Sequence, residues 1–234
     1  IFMNIVIISN GPGLPEIVNE YGHSSSWIPA LIKDKDITFS IKKVYDNDVL
    51  KLSDGDAWII TGSKYSVYDD LPWINQLKKF IHKIIQGNKS ILGICFGHQI
   101  IATSCGGKVE KNKMGWELGS YPITLSKEGS KSKLFNKFNN NDIVYESHQD
   151  VVSRLPENFI ELGYTDKGNQ SFSFKNNVYG VQFHPEFTYD VTRRLMDLRI
   201  NKGIQVDNHN LNKSVNAHHI ISNFVKIAKE GVRL

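Results

Sequence analysis

The chain reads as an α/β fold: a mostly parallel central sheet covered by helices on both faces, with an additional small antiparallel sheet. Three observations lead there. Over the first hundred residues, short apolar runs alternate with segments of helical period, the pattern of strand–helix–strand units. The stretch Ser90–Ala102 passes from a continuous apolar run into a helix-like one within a few residues. After Gly107 the texture changes to short strand-like runs separated by Gly, Asn, Asp and Ser, which predicts hairpins and antiparallel edge strands.

In chain order, Asn4–Ser9 is the first strand, and Asn10-Gly11-Pro12-Gly13 is a turn. These glycines fit neither G-x-G-x-x-G nor the longer phosphate-loop pattern, so a plain strand-to-helix loop is expected. Ser24–Ile32 is predicted helical, with serines as caps and Trp27, Ile28 and Leu31 on one face. Ile37–Val44 and Ala57–Thr61 are strands, the second ending in Gly62-Ser63. Pro72–Ile85 follows as a helix, with Pro72 suited to its first turn and Ile74, Leu77, Ile81, Ile84 and Ile85 on one side. Ser90–Ile94 is a buried strand, with a helix from Gly97. Tyr121–Leu125, Ile143–Glu146, Phe159–Thr165, Gln170–Lys175 and Val178–Phe183 are short strands, and Asn176-Asn177 is a two-residue turn. Tyr189–Asn201 and Val215–Glu230 are closing helices around a polar loop, Gly203–Lys213. No repeat or linker divides the chain, so one domain over 1–234 is expected.

Hydrophobic residues make up 40% and charged residues 22% of 234, the composition of an ordinary globular protein. No apolar run approaches the ~20 residues of a membrane span, and Ile1–Ser9 reads as a strand rather than a signal peptide. Met3, after Ile-Phe, is the expected natural start. The two cysteines, Cys95 and Cys105, lack metal-type spacing, and a reduced cytoplasmic protein is expected. The net charge of +4 is mild, and the basic run Lys127–Lys137 is broken by Glu128 and turn residues. It reads as a solvated loop, not a nucleic-acid surface. His218 and His219 are adjacent on a helix and point ~100° apart, so with His209 in a loop no metal-ligand set emerges.

Chemistry concentrates at two places. Cys95 sits where strand becomes helix, flanked by Gly93 and Gly97: a G-x-C-x-G counterpart of the G-x-S-x-G nucleophile elbow. A helix N-terminus favours the thiolate, the attacking species. The alternative is an inert cysteine at a strand end. The second place is Val178–Phe183 running into His184-Pro185-Glu186. In an extended segment residues i and i+2 face the same way, so His184 and Glu186 point into one site. Such a pair supplies what a cysteine nucleophile requires, a base and a carboxylate to orient it.

Gly93-Ile94-Cys95-Phe96-Gly97-His98-Gln99 and His184-Pro185-Glu186 resemble the two signatures of class I (triad-type) glutamine amidotransferases. Thr61-Gly62-Ser63 resembles that family's oxyanion loop, and Cys105-Gly106-Gly107-Lys108-Val109 its Gly-Gly-x-Val segment. Glu146-Ser147-His148-Gln149-Asp150 resembles the Ser-His-x-Asp stretch of the amidotransferase domain of GMP synthetase. The resemblance spans nearly the whole chain and implies a flavodoxin-like sheet and a cofactor-free hydrolase of γ-glutamyl amides. It implies Cys95 as nucleophile, His184 as base then acid, and Glu186 as its orienter. It also implies an oxyanion hole from the backbone of Phe96, Gly62 and Ser63. Gln99 with Ser147, His148 and Gln149 would hold the amino and carboxylate ends of the γ-glutamyl group, although as isolated residues the last three also read as a polar loop.

Two departures from the family pattern stand out. Ser63 replaces a second glycine in the oxyanion loop, which leaves less room beside the hole. No synthetase segment or ATP loop is evident in the chain. Three readings follow: a glutaminase subunit serving a synthetase on another chain, a free-standing γ-glutamyl peptidase acting on glutathione-like peptides, or an inactive binding module. Gly115–Gly119, Ser147–Asp150 and Phe187–Arg194 look more like the free-standing branch.

Overall fold

The computed structural model describes residues 2–232. The first half runs β1 (Met3–Ser9), α1 (Pro15–Tyr21), α2 (Ser24–Ala30), β2 (Ile37–Lys43), β3 (Ala57–Ile60) and α3 (Pro72–Gln86). Then come β4 (Ser90–Ile94), α4 (Phe96–Ser104), β5 (Lys108–Lys111), β6 (Glu117–Pro122) and β7 (Thr124–Leu125). The remainder is β8 (Ile143–His148), β9 (Asp150–Arg154), β10 (Ile160–Thr165), β11 (Gly168–Phe174), β12 (Val178–Val181), α5 (Tyr189–Ile200) and α6 (His219–Val232).

An eight-stranded sheet has the order β2-β1-β3-β4-β12-β11-β10-β7. Its first five strands are parallel, and β11, β10 and β7 extend it antiparallel beyond β12. Two further antiparallel pairs, β5–β9 and β6–β8, form separate two-stranded sheets. The expected single antiparallel sheet is thus two ladders plus an edge of the main one. Both ladders join distant segments, so neither is a hairpin.

Alternation along β1 explains the layers. Ile5 and Ile7 point to the side carrying Ile28 of α2 and Ile220, Ile221 and Phe224 of α6. Val6 and Ile8 point to the other, against Ile74, Leu77, Ile81 and Ile84 of α3 and Ile100 and Ile101 of α4. Burying both faces of parallel strands requires near-continuous apolar runs, which β1, β3 and β4 supply.

The structure differs from the sequence reading at several elements. Ile1 of the expected Ile1–Ser9 strand lies outside the described residues; the strand begins at Met3. Helix α1 follows the Asn10–Gly13 turn unannounced, with Ile17 its one buried residue. The cap of α2 is His23, whose ring accepts from the Ser25 N–H at 3.2 Å, rather than a serine. Leu31 lies just past that helix and is exposed. The expected strand Tyr121–Leu125 is split: Tyr121 and Pro122 finish β6, while Thr124-Leu125 crosses to the main sheet. Ile123 between them is fully buried. The turn before β12 spans Lys175–Asn177, with Lys175 at φ 53°. Helix α6 begins at His219; Val215 stays 68% exposed, leaving no burial to draw the first turn in.

Candidate functional site

Strands β3, β4 and β12 are neighbours in the parallel sheet, and their carboxyl ends deliver Gly62-Ser63, Cys95 and His184 to one place. Clefts at such strand ends are where open α/β sheets bind ligands. A cavity of ≈ 330 Å³ opens there, lined by Cys95, His184 and Gln99 and reaching Trp27, Trp116 and Arg199.

Cys95 has φ 52° and ψ −105°, a backbone conformation L-residues rarely adopt. The surrounding structure over-determines it. Its N–H donates to Val181 O at 2.9 Å, and its carbonyl accepts the Gln99 N–H at 3.1 Å to begin α4. A Cβ on Gly93 would lie 2.3 Å from the Gly97 carbonyl, and one on Gly97 2.3 Å from Ile60 O. Both glycines are therefore needed for the close approach of α4 to the strands beneath it. The turn thereby brings Cys95, 6% exposed, to the cavity wall.

His184 Nδ1 lies 2.8 Å from Glu186 Oε1, and the ring stacks on Phe187 with centroids 3.9 Å apart. Its backbone N–H donates to Tyr145 O at 2.8 Å, tying the segment to β8. Burial disfavours the imidazolium, but the Glu186 carboxylate and the Cys95 sulfur outweigh it and hold His184 up at about 10. Gly62 closes over this pair: a Cβ there would meet His184 Cε1 at 2.9 Å and Cys95 Cβ at 3.5 Å. The Ser63 hydroxyl donates to Asn10 O at 2.7 Å and accepts from the Tyr65 N–H at 3.2 Å. That side chain is thus taken up in pinning the loop to the end of β1. As the first N–H of α4, the Phe96 amide has no partner within its own helix.

The remaining expected residues also lie at the cavity. Gln99 Nε2 donates to Asp150 O at 2.9 Å and Gln182 Oε1 at 3.0 Å. Ser147 and Gln149 line the cavity. The His148 ring is turned into the protein, with Nδ1 2.9 Å from Asp150 O. Its Nε2 is 3.2 Å from Glu117 Oε2 and 3.1 Å from Glu146 Oε2, ion-pair distances without hydrogen-bond alignment. Burial pushes Glu146 up to about 7, while the two carboxylates outweigh the burial of His148 and hold it well above its ordinary value. Sequence reading did not find this buried Glu117–His148–Glu146 group, because its acids are brought together by a β6–β8 ladder across some thirty residues. Asp150 accepts from Ser66 Oγ at 2.6 Å and Tyr68 OH at 3.0 Å, clasping the loop after β3 to β9. Among the described residues, no group of three or more His, Cys, Asp or Glu side chains is placed to hold a metal ion. No helix among them is long and apolar enough to cross a membrane.

Residues 21–199 match the family model for class-I glutamine amidotransferase. The chain belongs to that family. Gamma-glutamyl peptidase 4 of Arabidopsis thaliana is 32% identical over 183 residues, which is 76% of this chain and 73% of that protein. The glutamine-hydrolyzing GMP synthase of Pyrobaculum aerophilum is 36% identical over 140 residues, 60% of this chain but only 26% of the synthase. In fold, a glutamine amidotransferase crystal structure from Thermotoga maritima superposes with a TM-score of 0.69 at 19% identity, covering 100% of this chain and 96% of its own. The main sheet and the thiol elbow are thus set in a class I amidotransferase fold.

Proposed function

We propose that this amidotransferase-family chain hydrolyses γ-glutamyl amide bonds through a thioester on Cys95. The observation that carries the reading is the convergence of Cys95, His184 and Glu186, from two neighbouring strand ends, on one cavity. Cys95 Sγ attacks the γ-carboxamide carbon, and the C=O electrons move onto oxygen. The N–H groups of Phe96 and of the Gly62-Ser63 loop receive that oxyanion, and preset donors of this kind lower a barrier by ~3–4 kcal/mol each. His184, favoured as imidazolium, gives its proton to the leaving nitrogen as the C–N bond breaks. Water then attacks the thioester with His184 as base, releasing glutamate and the thiol. Glu186 orients the imidazole throughout.

On the glutamyl side, both Nε2 hydrogens of Gln99 are engaged, so its carbonyl oxygen is the atom left to accept from a substrate ammonium. The main chain around Ser147–Gln149 serves the other polar end; the ring of His148, committed to its two acids, supports that wall rather than touching substrate. The chemistry needs no cofactor.

The same thioester serves glutamine and γ-glutamyl peptides, which differ only in the leaving amine. Likeness to an Arabidopsis γ-glutamyl peptidase supports the peptide reading, as does a cavity that continues past the thiol to Trp27 and Trp116. A glutaminase that passes ammonia to a synthetase on a separate chain is the other form of the proposal. Glutamate release from glutamine and from γ-glutamyl peptides, measured side by side, tests it. Fast peptide cleavage with poor glutamine use identifies a stand-alone peptidase, and the reverse identifies a subunit. No release from any of them by folded protein contradicts hydrolysis altogether.

A further inference from the structure

Arg199 and Lys64 are the long cations that line the cavity, lying over the Trp116 and Tyr65 rings respectively. Arg199 occupies the last turn of α5 and lines the same cavity as Cys95. Its guanidinium lies 4.6 Å from the centre of the Trp116 ring, which supports one face. No carboxylate comes within 4 Å of it among the described residues, and its Nε is shut off from solvent without a hydrogen-bond partner. Away from the cavity lining, Arg194 pairs with Glu20, Lys229 with Asp34, and Lys167 with Asp207. Glu117, next to Trp116 in sequence, is turned inward and held by Thr165 and Gln170. Burial pulls the Arg199 guanidinium below its ordinary range, partly offset by the Cys95 sulfur. It nonetheless stays charged, because arginine does not lose its proton in proteins.

An unpaired, largely desolvated cation is costly to hold unless something charged is to meet it. A ring-stacked guanidinium keeps its edge free, and that edge is a fork matched to a carboxylate. Pairing with the C-terminal dipole of α5 would account for an arginine at this position, but not for one laid over Trp116 at the wall of the thiol cavity.

We propose that Arg199, backed by Trp116, is the subsite for a substrate carboxylate beside the reacting thiol. The inference rests on the hydrolase reading above and adds its specificity: anionic γ-glutamyl compounds are preferred over neutral ones. Two carboxylates have the required chemistry, the α-carboxylate of the γ-glutamyl group and a carboxylate on the leaving amine.

The test is equilibrium binding to Cys95→Ala protein, so that no turnover intervenes. Three probes are titrated: γ-glutamylglycine, with both carboxylates; γ-glutamylglycinamide, without the one on the leaving group; and 4-aminobutanoylglycine, without the α-carboxylate. Introducing Arg199→Met should weaken γ-glutamylglycine at least ~10-fold, the scale of one lost charge-assisted hydrogen bond. Arg199→Lys, which keeps charge but not the fork, should fall between. The same substitution should leave unchanged the probe that already lacks the recognised group. Indifference of the glycinamide places the carboxylate on the leaving amine, and indifference of 4-aminobutanoylglycine places it on the glutamyl α-carbon. Equal weakening of all three probes, weakening of none, or no binding of any probe to the Arg199 protein overturns the proposal. Thermal unfolding of each variant separates lost binding from lost folding. Failure of folded wild-type protein to release glutamate from glutamine and from every γ-glutamyl peptide overturns hydrolysis, and the binding comparison still decides Arg199.

Discussion

His184 is held by Glu186 on one ring nitrogen, stacked on Phe187, and covered by Gly62. Its raised pKa has a defined sign. The stabilisation from the paired imidazolium is fully present below the unfolded value of 6.5 and is lost as pH rises through about 10. Replacing Glu186 by Gln removes the charge that holds the imidazolium. The alkaline limb of the kcat/KM profile should then move to lower pH and the rate fall by roughly 10²–10⁴-fold, the usual range for acid–base catalysis. An unshifted limb would mean that Glu186 does not act on His184. At this scale the sequence was most informative where spacing alone dictates direction, as in Gly93–Cys95–Gly97 and His184–Glu186. Arg199 was invisible to it: a lone arginine near a helix end reads as an ordinary dipole partner, and only Trp116, brought in just before β6, changes that reading.

The element that matters most is the β4–α4 corner, whose helix lies close enough to Ile60 of β3 to exclude a side chain at Gly97. Gly97→Ala should destabilise by about 1–3 kcal/mol, as overpacking does. It should also lower kcat, because Phe96 and the loop after Ile60 would part and misplace their N–H groups. Chemical denaturation and kcat on the same preparation check both effects. Elements with a continuous apolar run or a long amphipathic face, such as β4 and α3, were legible. Those without either were not. Helix α1 has seven residues and buries only Ile17, so it has no period to read. Strands β5 and β9 each mix exposed and buried residues and depend on one another across forty residues.

In the molecule as a whole, the parallel strands divide the core into two apolar layers, and four of them, β1, β3, β4 and β12, bring their carboxyl ends to the cavity. Stability and function can therefore be separated by position. Phe224 of α6 is fully buried in one layer. Phe224→Ala should cost about 3–5 kcal/mol in urea unfolding while leaving kcat per folded molecule unchanged. The doubly covered sheet followed from alternation in the first hundred residues. The antiparallel half was legible as texture but not as pairing, since Tyr121–Leu125 serves two sheets and breaks at buried Ile123.

The most direct test of the account is to trap the acyl-enzyme. Protein turning over glutamine or a γ-glutamyl peptide is quenched in acid, and the peptide containing Cys95 is weighed by mass spectrometry. This peptide should gain one glutamyl group, labile to hydroxylamine, and Cys95→Ala protein should show neither adduct nor glutamate. Glutamate release by the Cys95→Ala protein at a rate near wild type would contradict the thioester mechanism.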